Sequence, residues 1–246
     1  TRHSLISCGL GARISVKETV YTHNLLRFKI ESRADVEKIT DIPVVGDIPT
    51  VDTQGSPIVV HENRNDLMDE VFRSIRTKIQ YMLQEGQKVI LFTSTSSGEG
   101  KSFIAGNLAC SFAYMGKKVV IVGLDIRKPG LNLVFHLSHK EKGITQYLVD
   151  PEHTNLLSLC QPSTVSENLY ILPGGTVPPN PTELVARQTL DQAIELLKQN
   201  FDYVLLDTAP IGMVTDTQLI ARVADLSVYV CRAGYTHKSH YALINE

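Results

Sequence analysis

The chain has 246 residues, 43% of them apolar and 20% charged, the statistics of an ordinary globular protein long enough for one large α/β domain and a smaller appendage. A formal net charge of −2, with no basic run gathered on one predicted face, removes the electrostatic case for nucleic acid as a partner and favours a protein ligand. No apolar stretch approaches the roughly 18 residues that span a bilayer and no signal peptide is visible, so the chain itself reads as soluble and cytosolic.

Residues 1–28 lack convincing periodicity, and Gly9 and Gly11 interrupt what would otherwise be a strand; they read as a flexible arm or an artificial leader. SRADVEKIT, from Ser32, predicts a short helix capped by Ser32, with Asp35 at the third helical position and Val36 and Ile39 on one face. Pro43 and the extended VVGDIP end it. A longer helix is expected from about Asn65 to Leu83, with Leu67, Val71, Ile75, Ile79 and Met82 or Leu83 on its buried face and charges opposite. From there the pattern is strand, loop, helix, repeated: strand Val89 to Phe92, helix Lys101 to Tyr114 closed by Gly116, strand Val119 to Leu124. Strands at Leu169 to Leu172, Tyr203 to Leu206 and Leu226 to Val230 follow, with helices near Pro181 to Gln199 and Asp216 to Val223. Continuous apolar strands of this kind are buried on both faces, as in a parallel sheet, and right-handed crossovers bring the loops after Phe92, Leu124 and Leu206 to one edge. The fold class is α/β: a mostly parallel central sheet flanked by helices. The last residues read as a helix, and a sheet of this type usually carries another strand beyond them.

SSGEGKS, residues 96–102, lies between an apolar strand and a helix, where a glycine-containing turn lets backbone N–H groups converge on a triphosphate at a helix N-terminus. In that setting Ser97, Gly98, Glu99, Gly100, Lys101, Ser102 and Phe103 form the nucleotide-binding set. Lys101 reaches the β and γ phosphates and Ser102 holds Mg²⁺. The match to GxxxxGK[ST] is partial, because Thr95 stands at the first glycine position. Asp207 ends the strand YVLLD and Asp125 follows the strand VVIVGL; beside a phosphate loop each is a candidate for holding Mg²⁺, although a carboxylate at a strand end serves as often in a turn or cap. Arg127 and Lys128 either stabilise charge on a transferring phosphoryl group or pair with Asp125 and Asp207. Arg232, just past a strand end, is a candidate contact to the base or phosphates. Asn107 reads as a polar contact from helix to sheet, and Asp216 as a helix N-terminal charge. His136 and His139 have no partner spaced to complete a metal site and read as loop histidines. The four cysteines, Cys8, Cys110, Cys160 and Cys231, lack metal-ligand spacing and read as reduced core thiols.

SSGEGKS, LDIRKP (124–129), LLDTAP (205–210), PPNPTEL (178–184), EVFRSIRT and SRADVEKITDIPVVGDIP together resemble the cytoplasmic domain of bacterial tyrosine kinases, of the polysaccharide co-polymerase class that regulates capsule and exopolysaccharide export. The resemblance covers roughly residues 29–241. It implies a protein-tyrosine autokinase using MgATP, with Lys101, Asp125, Arg127 and Asp207 catalytic and Ser102, Asp125 and Asp207 at the metal. It implies that Glu70, Arg73 and Arg76, matching the family's ExxRxxR element, join subunits into a ring at the cytoplasmic face of the inner membrane. Partners implied are a transmembrane co-polymerase region, on the same or another chain, and a tyrosine phosphatase. The corresponding layout is residues 29–62 as a juxtamembrane linker and 63–246 as the kinase domain, without the final strand and tyrosine tail.

Two departures bear on this. The family's DxDxR element appears here with Gly123 in place of its first aspartate, leaving Asp125 to serve alone. Tyr235 and Tyr241 make no tyrosine cluster and read as readily as buried or helical residues. A nucleotide-dependent switch ATPase of the partitioning type and a nucleotide-binding oligomerisation scaffold remain as alternatives; Thr95, Ser96 and Ser97, where the former carry an early lysine, argue against it, and Gly123 lends weight to the latter.

Overall fold

The computed structural model describes residues 6–7, 13–14, 28–51, 53, 55–138 and 142–240. Two short strands, β1 (Ile6–Ser7) and β2 (Arg13–Ile14), pair antiparallel where no strand was expected. Cys8, His139, Tyr241 and the end of the chain lie outside the described residues.

The centre of the molecule is a six-stranded sheet in the order β5-β6-β4-β7-β3-β8. Its strands are β3 (Val89–Ser94), β4 (Val119–Leu124), β5 (Gln161–Pro162), β6 (Leu169–Leu172), β7 (Tyr203–Thr208) and β8 (Leu226–Val230). All pairs are parallel except β5 with β6. Every residue of β3 and β4 is buried. Side chains alternate between two apolar layers: Leu91, Val120, Val122, Val204 and Leu206 on one face, Ile90, Phe92, Val119, Ile121 and Leu205 on the other. β8 departs from the expected double burial, because as an edge strand it has Ser227 exposed and only Val230 fully buried.

The first layer is covered by α5 (Ile144–Val149), α6 (Pro181–Ala186) and α7 (Gln188–Asn200) through Leu148, Leu184, Leu190 and Leu197. The single helix expected near 181–199 is therefore two. Arg187 is extended (φ −69°, ψ 151°), and the break is stabilised from outside, since the Arg222 guanidinium donates to the carbonyls of Val185 and Arg187, both at 3.0 Å. The second layer is covered by α2 (Leu67–Met82) and α3 (Lys101–Ala113).

α2 starts at a capping box: the Asp66 carboxylate accepts from the N–H groups of Met68 and Asp69, and Asp69 returns a bond to the N–H of Asp66. Its buried face is Met68, Phe72, Ile75 and Ile79. The expected face shared Ile75 and Ile79, but Leu67 is 68% and Met82 40% exposed; the stripe is rotated by one residue at the N-terminal end, where Phe72 offers more apolar area to bury than Val71.

α1 (Arg33–Glu37) is short, and the expected cap is corrected: Ser32 occupies the N-cap position without a side-chain cap bond, while the Asp35 carboxylate accepts from the N–H of Glu31 at 3.0 Å. Val36 is buried and joins Ile30, Tyr229 and Cys231 beside the edge strand β8. Asn107, expected to bridge helix and sheet, instead pins an extended segment: its Oδ1 accepts from the N–H of Val59 at 2.8 Å and its Nδ2 donates to the carbonyl of Pro57 at 2.9 Å. The remaining elements are α4 (Leu131–Val134) and α8 (Asp216–Ile220), the latter continuing as one 3-10 turn over Ala221–Val223 rather than as α-helix. Cys110 and Cys160 are buried free thiols, pushed up to about 12 and about 11 by burial, as core thiols would be. Among the described residues no helix is long and apolar enough to cross a membrane.

Candidate nucleotide site

β4, β7 and β3 are neighbours in the sheet, so the loops at their C-terminal ends meet, as the strand pattern requires. The loop after β3 runs from Thr95 to Gly100 and opens α3. Gly98 (φ 88°) and Gly100 (φ 98°) both lie in the left-handed region that side chains disfavour, a backbone path suited to a tight phosphate-binding turn at a helix N-terminus.

Lys101 and Ser102 are the first two residues of α3. Lys101 Nζ lies 3.3 Å from Asp125 Oδ2 and 3.6 Å from Asp207 Oδ1, and all three side chains are nearly out of contact with water. Ser102 Oγ donates to Asp207 Oδ2 at 2.7 Å. Asp125 is held by its own turn: Oδ1 accepts from the N–H of Lys128 at 3.0 Å, and its backbone N–H bonds the carbonyl of Asp207. Burial pushes the Asp207 carboxyl up, and the neighbouring Asp125 adds to this, against the pull of Lys101 and Ser102.

Asp207 Oδ1 is buried without a hydrogen-bond partner, and a Cβ at Gly130 would collide with Ser102 Oγ beside Asp207. A hydroxyl and two carboxylates, one with a buried oxygen that makes no hydrogen bond, are the hard oxygen donors that suit Mg²⁺. Gly123 lies opposite Asp207 in the β4–β7 register. A Cβ there would sit 3.0 Å from the backbone nitrogen of Gly174, so a side chain at this position requires the 173–175 turn to shift by a few tenths of an ångström.

The remaining predicted residues fall into place unequally. Ser97, Gly98 and Glu99 belong to the loop, but the Glu99 side chain braces it from behind, accepting from the N–H of Ser96 at 2.9 Å and from Thr236 Oγ1 at 2.5 Å. Phe103 turns into the core, edge to face with Phe72. Arg232 reaches the loop itself, donating to the carbonyl of Gly98 at 3.1 Å, while Tyr235 donates to the carbonyl of Ser97 at 2.9 Å. Arg127 pairs with neither Asp125 nor Asp207; its partner is Asp216, at 2.7 Å. Asp216 is the first residue of α8, but its carboxylate is 1% exposed and engaged by a side chain, more than a helix-end charge.

Thr236 and Thr182 escaped the sequence reading. Isolated threonines carry no local signal, although Thr182 sits inside PPNPTEL.

Glu70, Arg73 and Arg76 lie on α2, away from this loop cluster. Glu70 and Arg73 pair with each other, and Arg73 also reaches Asn65 Oδ1 at 3.3 Å. Arg76 is not part of an open stripe: it folds onto α3, donating to the carbonyl of Ser111 at 2.5 Å. Arg73, Arg76, Ser111, Tyr114 and His61 line a cavity of about 500 Å³ between the helices.

A family model described as an AAA domain matches residues 87–236, more than half of the chain. The tyrosine-protein kinase CpsD of Streptococcus agalactiae is 36% identical over 178 residues, covering 72% of this chain and 76% of the relative. The tyrosine-protein kinase YwqD of Bacillus subtilis strain 168 is 35% identical over 190 residues, covering 77% of this chain and 78% of the relative. The solved BceF tyrosine kinase domain superposes with a TM-score of 0.76 at 30% identity, covering 87% of this chain and 90% of that one. With a phosphate loop, its lysine and two strand-end aspartates in one buried cluster, and with identity sustained over most of each relative's length, the chain belongs to the bacterial tyrosine-protein kinase family, on the P-loop NTPase fold.

Proposed function

We propose that the protein is a protein-tyrosine autokinase that moves the γ-phosphoryl group of ATP to a tyrosine hydroxyl, within a system for making and exporting capsule or exopolysaccharide. The observation that carries this reading is the buried cluster in which Lys101 Nζ stands between Asp125 and Asp207 while Ser102 bonds Asp207. Backbone N–H groups of the loop from Ser97 to Lys101 bind the phosphates, and Lys101 exchanges its carboxylate partners for the β and γ phosphates. Ser102, Asp125 and Asp207 hold Mg²⁺, which neutralises phosphate charge when bound. The bond from phosphorus to the ADP oxygen breaks as the bond to the tyrosine oxygen forms. A phenol of pKa about 10 needs help to lose its proton at neutral pH. Asp125 is the carboxylate that accepts that proton once Lys101 has turned to the phosphates, its orientation fixed by the Lys128 N–H on Oδ1.

Glu70 and Arg73 form the exposed part of the subunit contact of a homo-oligomeric ring, with Arg76 supporting that face of α2 from its bond to the Ser111 carbonyl, and with no role for nucleic acid. Residues 29–62 are the juxtamembrane linker to a transmembrane co-polymerase region at the cytoplasmic face of the inner membrane, and residues 63–246 the kinase domain; a tyrosine phosphatase reverses the modification. A second reading, a nucleotide-binding scaffold without kinase activity, draws on Gly123, which leaves one carboxylate where the family's element has two.

One assay separates them. The protein and its Lys101→Met variant are incubated with MgATP and a tyrosine-rich peptide, then probed for phosphotyrosine. Lys101-dependent phosphotyrosine is expected; nucleotide binding without any phosphotyrosine in a folded sample would favour the scaffold.

A further inference from the structure

Arg127, Thr182 and Asp216 come from three separate segments and close a ring of hydrogen bonds. Arg127 Nε donates to Asp216 Oδ2 at 2.7 Å. Its Nη2 donates to Asp216 Oδ1 at 3.2 Å and to Thr182 Oγ1 at 2.9 Å. The Thr182 hydroxyl spends its own proton on Asp216 Oδ1 at 2.7 Å. Three of the five guanidinium N–H groups are thereby committed, and the two on Nη1 make no hydrogen bond to any described residue.

The two ends of this ring are unequal. Asp216 is sealed, with its side chain 1% exposed, while Arg127 keeps 38%. Burying a carboxylate is costly unless its oxygens are filled, and here both are. Burial raises the Asp216 carboxyl, but the hydrogen bonds of Arg127 and Thr182 outweigh it and hold it below its ordinary value, so it is ionised at neutral pH. An exposed arginine ordinarily samples many rotamers; this one is held by a planar two-point grip. The other end of the residue is held as well, because Arg127 lies inside the turn closed by the Lys128 N–H on Asp125 Oδ1. Backbone and guanidinium are both tied, two residues from a carboxylate that meets Lys101.

We propose that Asp216 and Thr182 are positioning residues for the phosphoryl-transfer step, holding Arg127 with its Nη1 edge offered to the oxygens of the transferring phosphoryl group. This rests on the kinase reading above. Arg127 then acts as a preorganised donor that incurs no reorganisation when charge develops, and the tie to Asp216 makes its contribution conditional on two helix starts, at α6 and α8.

The test is a double-mutant cycle on the full chain with MgATP and a tyrosine-rich peptide, reading kcat and KM for ATP. It is supported by the dissociation constant of a fluorescent ADP analogue and by thermal melts. Arg127→Ala is expected to lower kcat by about 10²-fold, the scale of losing one oriented donor, with ADP affinity changed less than about two-fold, since the donor acts on the transferring group rather than on the bound diphosphate. Asp216→Asn keeps the size and loses the charge, and is expected to lower kcat by about 10-fold; the double variant should be no worse than Arg127→Ala alone. Thr182→Val should lower kcat and Thr182→Ser restore it, which separates positioning from folding should Asp216→Asn melt early. Multiplicative losses in the double variant, or unchanged kcat in both Asp216→Asn and Thr182→Val, would overturn the proposal while leaving the kinase reading intact. A folded wild-type protein with no Lys101-dependent phosphotyrosine would overturn both.

Discussion

Replacing Lys101 by methionine removes the cation that stands between two buried carboxylates, and the consequence reaches folding as well as chemistry. At 3.3 and 3.6 Å, each attraction is worth about 5 kcal/mol at an effective dielectric near 20. Desolvation offsets most of that, so the measurable cost of leaving the carboxylates uncompensated is about 3–5 kcal/mol. For a protein of this size one kcal/mol moves Tm by about 2–4 °C, which predicts a fall of roughly 6–20 °C for nucleotide-free Lys101→Met at pH 8. The variant has a way to relieve the repulsion, which is to take up a proton. Asp207 is already raised by burial, and losing Lys101 raises it further, so the native state binds more protons than the unfolded chain and stability falls as pH rises. The Tm deficit is therefore largest at pH 8 and shrinks toward pH 5. Paired melts of wild type and variant across that range, in chelator, make the measurement. A variant that melts within about 2 °C of wild type at pH 8 would refute the claim that the three charges form one buried unit.

Asn107→Ala strands the N–H of Val59 and the carbonyl of Pro57; it should cost about 2–6 kcal/mol, at about 1–3 for each unsatisfied group, and speed amide exchange at residues 58–60 in hydrogen–deuterium measurements. Asp66 is held below its ordinary carboxylate value chiefly by the N–H of Asp69. A depressed native pKa stabilises above 3.8 and is lost as pH falls through the native value, so acid should fray the start of α2 in wild type and not further in Asp66→Ala, which should already be about 1 kcal/mol less stable at pH 7. The ring contact is best tested with Glu70→Ala plus Arg73→Ala, which touch only surface partners, because Arg76→Ala also strips the Ser111 carbonyl. Light scattering should show the assembled species moving toward monomer, and an unchanged mass would leave the stripe a solvated surface.

Much of the fold can be read in the chain because strands buried on both faces are written as unbroken apolar runs: VVIVGL and LYIL begin and end where the structure has β4 and β6. The cluster of Lys101, Ser102, Asp125 and Asp207 was foreseen for the same reason, since a parallel sheet fixes which strand ends meet. Helix details were harder. The break at Arg187 falls inside a stretch that reads as one helix, and the carbonyls beside it are filled by Arg222, thirty-five residues from Arg187. The start of α2 follows Met68 and Phe72 because the core offers them room, and Leu67 fits the same periodicity equally well from sequence.

By itself, then, the sequence determined the α/β order, the phosphate loop and the strand-end acids, all set by short-range spacing and by the alternation of strand and helix. Only the tertiary structure decided which charges pair: that Arg127 binds Asp216 rather than Asp125, that Glu99 braces its loop through Thr236, and that Arg76 folds inward onto Ser111. Ion pairs and hydrogen bonds depend on distances of a few ångströms between residues far apart in the chain, and no periodicity records them.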